Sequence, residues 1–304
     1  MPAEGFPRLP RDHLLSFEEQ VRVVRLMAGM GVERIRLTGG EPLIRRDAVA
    51  LVERLKAIKG IQEVAMTTNG HLLARHAEPL WAAGLRGLNV SIDTFDSEAF
   101  ARITRGGDLF EVLRGIEAAQ EAGFTGIKVN AVSMRGLNDQ DHVAFVEHCW
   151  RRDLLPRFIE LMPIGQLDGQ RSEFVSSEAM LTNINAVHPL HIEGAACGVV
   201  PSGPAHYAVV TEGPWTGRKV GFISPMSDDG FCDKCNRARL TARGGLRACL
   251  ADDREVSILQ AIREGADDES LVELIAQAVS GKRAHHNLRG ATGAPLAVMT
   301  GIGG

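Results

Sequence analysis

The sequence predicts an α/β protein whose first half is a parallel sheet or open barrel with helices outside. Two observations carry this. Helical and strand-like patterns alternate from about residue 16 to residue 165, giving five strands that are each reached through a helix. Polar, glycine-bearing segments come after those strands, at Thr38 to Glu41, Thr67 to Gly70, Ser91 to Thr94 and Met162 to Gly165. In a parallel barrel all four fall on one rim, where binding residues sit. Each alone is also ordinary turn chemistry.

The elements run in order. Ser16 and Glu19 form a capping-box signature with Leu15 as staple, so EEQVRVVRLMAGM opens as an amphipathic helix ending near Gly31. RIRLTGG is a short strand, DAVALVERLKAI a helix, and QEVAMTTNG a strand and turn. LARHAEPLWAAG is helical with a break or kink expected at Pro79. GLNVSIDT, TGIKVNAVSM and LPRFIELMPIG read as strands, with helices at LFEVLRGIEAAQEAG and DQDHVAFVEHCWRR between them. From about residue 170 the rhythm changes. SSEAMLTNINAVHPL is helical, HYAVVT and RKVGFISPM are short strands, and RARLTARGGLRACL is a hairpin around Gly244–Gly245. Helices at VSILQAIREG and ESLVELIAQAVSGK precede a small-residue tail.

The bulk properties exclude several classes. The 304 residues are 44% hydrophobic, enough for a large core. A net charge of −4 argues against a general nucleic-acid binder. No apolar run reaches membrane-spanning length and MPAEGFPRLPRDH has no signal-peptide core, so the expectation is a soluble cytoplasmic protein with reduced thiols. Five cysteines is an odd number for a disulfide framework. Cys149 in a helical stretch and Cys197 in a loop read as plain structural thiols.

The other three, Cys232, Cys235 and Cys249, are spaced C-x2-C-x13-C, and the hairpin returns Cys249 toward the first two. Two readings stand. Structural zinc would need a fourth ligand, and His206, His285 and His286 lie outside the local pattern. A [4Fe–4S] cluster with one open iron needs only three. Arg237 and Arg239 inside the span add fixed positive charge, which suits an anion such as phosphate. TGGEP (Thr38 to Pro42) lets backbone approach a ligand, and Glu41 can accept from an amine or hydroxyl. Neither G-x4-G-K-[ST] nor G-x-G-x-x-G occurs, so a nucleotide would be held by side chains. Arg36 and Lys128 lie on strands. Singly, each would be expected to point outward into solvent; with Arg237 and Arg239 they suggest a triphosphate cradle.

Taken together, TGGEPLIRRD, TTNG, SIDT, IKVNAV, RFIELMPIG, FCDKCNRARL…RACL and the terminal Gly303–Gly304 resemble the GTP 3′,8-cyclase family of radical S-adenosylmethionine (SAM) enzymes, over essentially the whole chain. The resemblance implies an open TIM-like (β/α)6 barrel, here incomplete and lacking its first strand, over residues 1–168. It implies a C-terminal α+β region over 169–304 carrying a second Fe–S cluster. By matching positions, Cys232, Cys235 and Cys249 would hold that [4Fe–4S] cluster. Arg36, Thr67, Lys128, Arg237 and Arg239 would contact GTP, and Gly40, Ser91 and Met162 would contact SAM. Gly303 and Gly304 would assist the chemistry. The implied reaction is cyclisation of GTP to (8S)-3′,8-cyclo-7,8-dihydroguanosine 5′-triphosphate in molybdenum cofactor biosynthesis, in a monomer or homodimer served by an external electron donor. The family also implies an N-terminal [4Fe–4S] cluster on C-x3-C-x2-C, which cleaves SAM. No such motif stands in this sequence, and MPAEGF resembles the stretch just after the last cysteine of that motif. The expectation is therefore a cyclase polypeptide lacking its radical-initiating segment, through a start placed at an internal Met or a genuine truncation that binds GTP without cyclising it. A different radical enzyme, such as a peptide-modifying maturase, is opposed by Arg237, Arg239 and the double glycine.

Overall fold

The computed structural model describes residues 10–164, 171–193, 203–286 and 288. Cys197, Gly165, Gly303 and Gly304 lie outside them.

Five strands, β1 (Arg34–Leu37), β2 (Glu63–Thr68), β3 (Gly87–Ser91), β4 (Lys128–Ser133) and β5 (Leu155–Glu160), pair in parallel in chain order. Helices α1 (Phe17–Gly29), α2 (Ala48–Lys56), α3 (Leu73–Ala82), α4 (Ser97–Thr104), α5 (Leu109–Glu121) and α6 (His142–Arg151) alternate with them. This is the α/β, open, partial TIM-like barrel expected. After α7 (Ser177–Asn185) the chain returns to the sheet through β6 (Leu190–Ile192), β7 (Ala205–Val210) and β8 (Lys219–Ile223). β8 joins β5 in parallel, and β7 runs antiparallel to β8 and β6. The sheet order is β1-β2-β3-β4-β5-β8-β7-β6, with β1 at one edge. A second sheet holds β9 (Arg239–Leu240), β10 (Gly245–Arg247) and β11 (Val256–Ser257), and α8 (Ile258–Arg263) and α9 (Asp268–Ser280) come after it.

Local chemistry explains these elements. Ser16 and Glu19 close the capping box on α1, and Asp96, Asp108, Ser176 and Asp267 cap later helices through their side-chain oxygens. α3 runs unbroken through Pro79, so the expected break does not occur. Leu73, Ala77 and Leu80 are buried along one face, and this packing outweighs the one backbone bond that proline cannot make. The hairpin around Gly244–Gly245 is present as β9 and β10.

The main core lies between sheet and helices, with Val64, Met66, Val90, Val129, Phe158 and Phe222 on the helix-facing side. Trp150 of α6 is buried, and its ring N–H donates to the Lys219 carbonyl at 2.9 Å, tying that helix to β8. A smaller core joins Val23 of α1 to Leu246, Ile258, Leu271 and Ile275. Among the described residues no helix is long and apolar enough to cross a membrane.

Candidate functional site: a basic inner sheet face beside a cysteine loop

Side chains alternate across a strand, so residues level with one another across the sheet share a face. Thr67 lies level with Asn89, Asn89 with Lys128, Asn130 with Arg157, Arg157 with Gly221, and Gly221 with Tyr207. Arg36, level with Ala65, and Ser91, level with Asn130, belong to the same side. This is the inner face, opposite the apolar core.

Its polar groups form one network. Arg157, only 7% exposed, donates to Asn130 Oδ1 from Nε at 2.9 Å and from Nη2 at 2.7 Å. With its amide oxygen turned toward the guanidiniums, Asn89 accepts from Arg36 Nη1 at 2.7 Å and Arg157 Nη2 at 2.9 Å. Gly221 makes room for this arrangement, since a Cβ there would sit 2.8 Å from both Arg157 Cγ and Tyr207 Cε1.

The face carries an excess of positive charge, partly offset by Glu63. Arg36 is held below the usual arginine range first by burial among the strands, then by the charges of Arg157 and Arg237, with Glu63 opposing. It remains accessible to solvent from the open side. Lys128 is held below its ordinary value by burial and then by Arg157 and Arg36. The influence of Arg237 on Arg36 brings the cysteine loop into the same field. Singly, these cations would be expected to point outward; instead they share one face.

The rim loops are braced. Gly39 has φ +142°, a backbone conformation that favours glycine, and a Cβ at Gly40 would meet nothing within 4 Å. The TGGEP loop therefore leaves its backbone open to an approaching group. Glu41, a candidate ligand acceptor by sequence, also has its carboxylate engaged within the protein. It accepts from Leu43 N at 3.0 Å, Thr68 Oγ1 at 2.8 Å and Asn69 N at 2.7 Å, joining the loops after β1 and β2. Ser91 ends β3, and half-buried Met162 lies just beyond β5 at the same edge of the sheet.

Buried Glu160 ties this rim to the cysteine loop. Its carboxylate accepts from Ser177 N at 2.8 Å, Met226 N at 2.8 Å, Ser227 N at 3.0 Å and the Ser227 hydroxyl. Farther along the chain, Cys232, Cys235 and Cys249 are half-buried free thiols. Burial raises the Cys235 thiol, but the Arg237 backbone N–H and the charges of Arg237 and Lys282 outweigh it and bring it below the ordinary value. Arg239 is lowered by burial and then by Arg237, while Cys235 and Cys249 push it back up, so both thiols act on it. Among the described residues no three His, Cys, Asp or Glu side chains are close enough to hold a metal ion, so the three sulfurs are not drawn into a ready cage. The donor set nonetheless fits an iron–sulfur group: soft thiols, one stabilised toward thiolate, with N–H groups aimed at sulfur. His285 and His286 line a cavity of about 250 Å³ with Cys232, Asp228 and Asp229, nearer the cysteines than the sequence pattern placed them.

Residues 3–149 match the Radical SAM superfamily and residues 155–288 match Molybdenum Cofactor Synthesis C. The GTP 3′,8-cyclase of Moorella thermoacetica is 41% identical over 304 residues, covering 100% of this chain and 92% of that relative. The chain belongs to the GTP 3′,8-cyclase family. GTP 3′,8-cyclase 1 of Pseudomonas aeruginosa is 44% identical, over 95% of this chain and 86% of its own length. A crystal structure of HydG, a maturase of the [FeFe]-hydrogenase, aligns with a TM-score of 0.47 at 17% identity, over 60% of this chain and 44% of that one.

For this family member, sequence reasoning passes over Asn89, Asn130, Arg157 and Tyr207. Arg157 has a signal: a lone cation inside the strand run LPRFIE. The other three are ordinary strand residues until the register is known.

Proposed function

We propose that this chain binds GTP between the inner sheet face and the cysteine loop, as the substrate-binding part of the radical SAM cyclisation of GTP to (8S)-3′,8-cyclo-7,8-dihydroguanosine 5′-triphosphate. The observation that carries the reading is the shared field of Arg36, Lys128, Arg157 and Arg237, in which each cation is near another and carboxylates are scarce. A triphosphate is the anion that such a set suits.

In this reading Arg36, Lys128, Arg237 and Arg239 hold the phosphates and Thr67 contacts the nucleotide. The open backbone at Gly40, with Ser91 and Met162, receives SAM. Cys232, Cys235 and Cys249 hold a [4Fe–4S] cluster, and Gly303 and Gly304 assist the chemistry. When bound, the cluster and SAM supply the binding iron and the radical chemistry, with electrons from an external donor. The protein's part is to fix the ribose and purine in one orientation and to exclude water from a reactive carbon. We assign the SAM side to residues 1–168 and the cluster side to 169–304, in a cytoplasmic monomer or homodimer.

A second reading concerns activity. The sequence holds no C-x3-C-x2-C. In this reading these 304 residues bind GTP on the cyclase scaffold, and the thiolates that would start the radical are not among them.

Calorimetric titration with GTP tests the proposal. Arg237→Ala and Arg239→Ala should each weaken binding about 10- to 100-fold, since a hydrogen bond to a charged group contributes roughly 1.5–3 kcal/mol. Unchanged affinity in both would remove these residues from the site, and no GTP binding by the unsubstituted protein would overturn the reading.

A further inference from the structure

The segment after α9 crosses the cysteine loop. Lys282, just beyond the helix, donates from Nζ to Cys235 Sγ at 3.3 Å, to the Cys235 carbonyl at 2.9 Å and to the Arg237 carbonyl at 3.2 Å. An ammonium has three protons, and these three acceptors match them. Among the described residues no carboxylate forms an ion pair with Lys282. The Cys235 sulfur is thus the one acceptor of the three that can carry a full negative charge. Farther along, the His286 backbone N–H donates to Cys232 Sγ at 3.4 Å, and its ring meets the Pro225 carbonyl at 2.8 Å.

The segment is held in place. Leu271 and Ile275 seat α9 in the smaller core. Arg254 bonds both oxygens of Asp252 and donates from Nη2 to the Gly281 carbonyl at 2.8 Å, directly before Lys282. The position of the ammonium is therefore set by the fold.

We infer that Lys282 is a positioning residue for the cysteine-held cluster, its ammonium fixing the Cys235 thiolate while the His286 backbone fixes that of Cys232. The inference rests on the cluster reading above. Hydrogen bonds to ligand sulfur and nearby positive charge both raise the reduction potential of an iron–sulfur group and slow its loss.

Anaerobic reconstitution of the full chain with iron and sulfide tests this, comparing the unsubstituted protein with Lys282→Met and Lys282→Arg. The unsubstituted protein should take up about four irons per chain. Lys282→Met should release iron to a chelator about tenfold faster, the lower end of the usual cost of losing such a partner, and its cluster should titrate at a lower midpoint potential by electron paramagnetic resonance. Lys282→Arg, which keeps the charge, should recover most of the potential. Apo-protein melting temperatures should agree across the set, separating cluster loss from unfolding. A Lys282→Met protein with iron retention and potential unchanged would overturn the inference and leave the proposed function standing. An unsubstituted protein that binds zinc alone, or no cluster, would overturn the cluster reading and this inference with it.

Discussion

Replacing Glu160 tests the tie between the barrel and the cysteine loop. The side chain is 0% exposed, and its two oxygens each accept two hydrogen bonds. Glu160→Gln keeps the shape, and one amide orientation is better than the other. With its oxygen at the Oε2 position, glutamine keeps Met226 N and Ser227 N. Its NH2 then faces the Ser227 hydroxyl, which can rotate to accept, and the Ser177 N–H, which cannot. One half-buried N–H loses its partner at about 1–3 kcal/mol, and the surviving bonds lose the help of a charged acceptor, for a total of about 2–4 kcal/mol. Glu160→Ala strands all three backbone N–H groups and should cost about 4 kcal/mol or more. Urea unfolding monitored by tryptophan fluorescence gives these differences at constant m. Hydrogen exchange supplies the residue-level check. In Glu160→Gln the Ser177 amide should lose protection while those of Met226 and Ser227 keep it; in Glu160→Ala all three should exchange. A glutamine variant within about 0.5 kcal/mol of the parent, inside the range of ordinary surface changes, or one in which all three amides exchange alike, would show that Glu160 does not make this tie.

Two further predictions concern protonation. His148 stacks on Phe95 with ring centroids 3.8 Å apart, and its Nε2 is buried without a partner among the described residues. Burial, then Arg152 and Arg151, pull its pKa from 6.5 to about 4. A base held neutral by folding contributes stability above its unfolded pKa and loses it as pH falls, so the urea midpoint should decline between pH 6.5 and 4. His148→Phe keeps the stack and should flatten that decline; an unchanged slope would assign it elsewhere. Lys128 lies below its ordinary pKa of 10.5 through burial, Arg157 and Arg36, and a triphosphate beside it would raise that value. Binding should then take up protons at alkaline pH and weaken as pH rises through the window below 10.5. Calorimetry in buffers of different ionisation enthalpy reads the uptake, and Lys128→Met should abolish it. No uptake by the parent would show that the ligand lies away from Lys128.

Much of the fold is legible because its causes are local. The capping box at Ser16 and Glu19, the strand–helix alternation and the glycine hairpin are each written within a few residues. The features that escape depend on pairing between distant segments. The return of β8 to β5 cannot be read from either strand alone. Nor can the facing of Arg157 with Asn89 and Asn130, because alternation gives a side chain's face but register gives its neighbours. The bonds that hold Glu41 escape because its partners Thr68 and Asn69 lie at the end of β2 and just after it. Lys282 resembles any surface lysine after a helix, since the sulfur it meets belongs to a distant loop.

The cations of the inner face and the neighbouring cysteine loop also bear on how the protein is handled. Arg36 is repelled by Arg157 and Arg237, and Lys128 by Arg157 and Arg36. That repulsion destabilises the protein and is relieved by any polyanion that settles among them. A ligand at 100 times its dissociation constant adds about 2.7 kcal/mol to stability. On the proposed reading, inorganic triphosphate, sulfate or a phosphate buffer at sufficient concentration should therefore raise the melting temperature and compete with GTP. A thermal-shift screen in a non-coordinating, low-salt buffer would display that competition most clearly, because added salt screens the field that produces it.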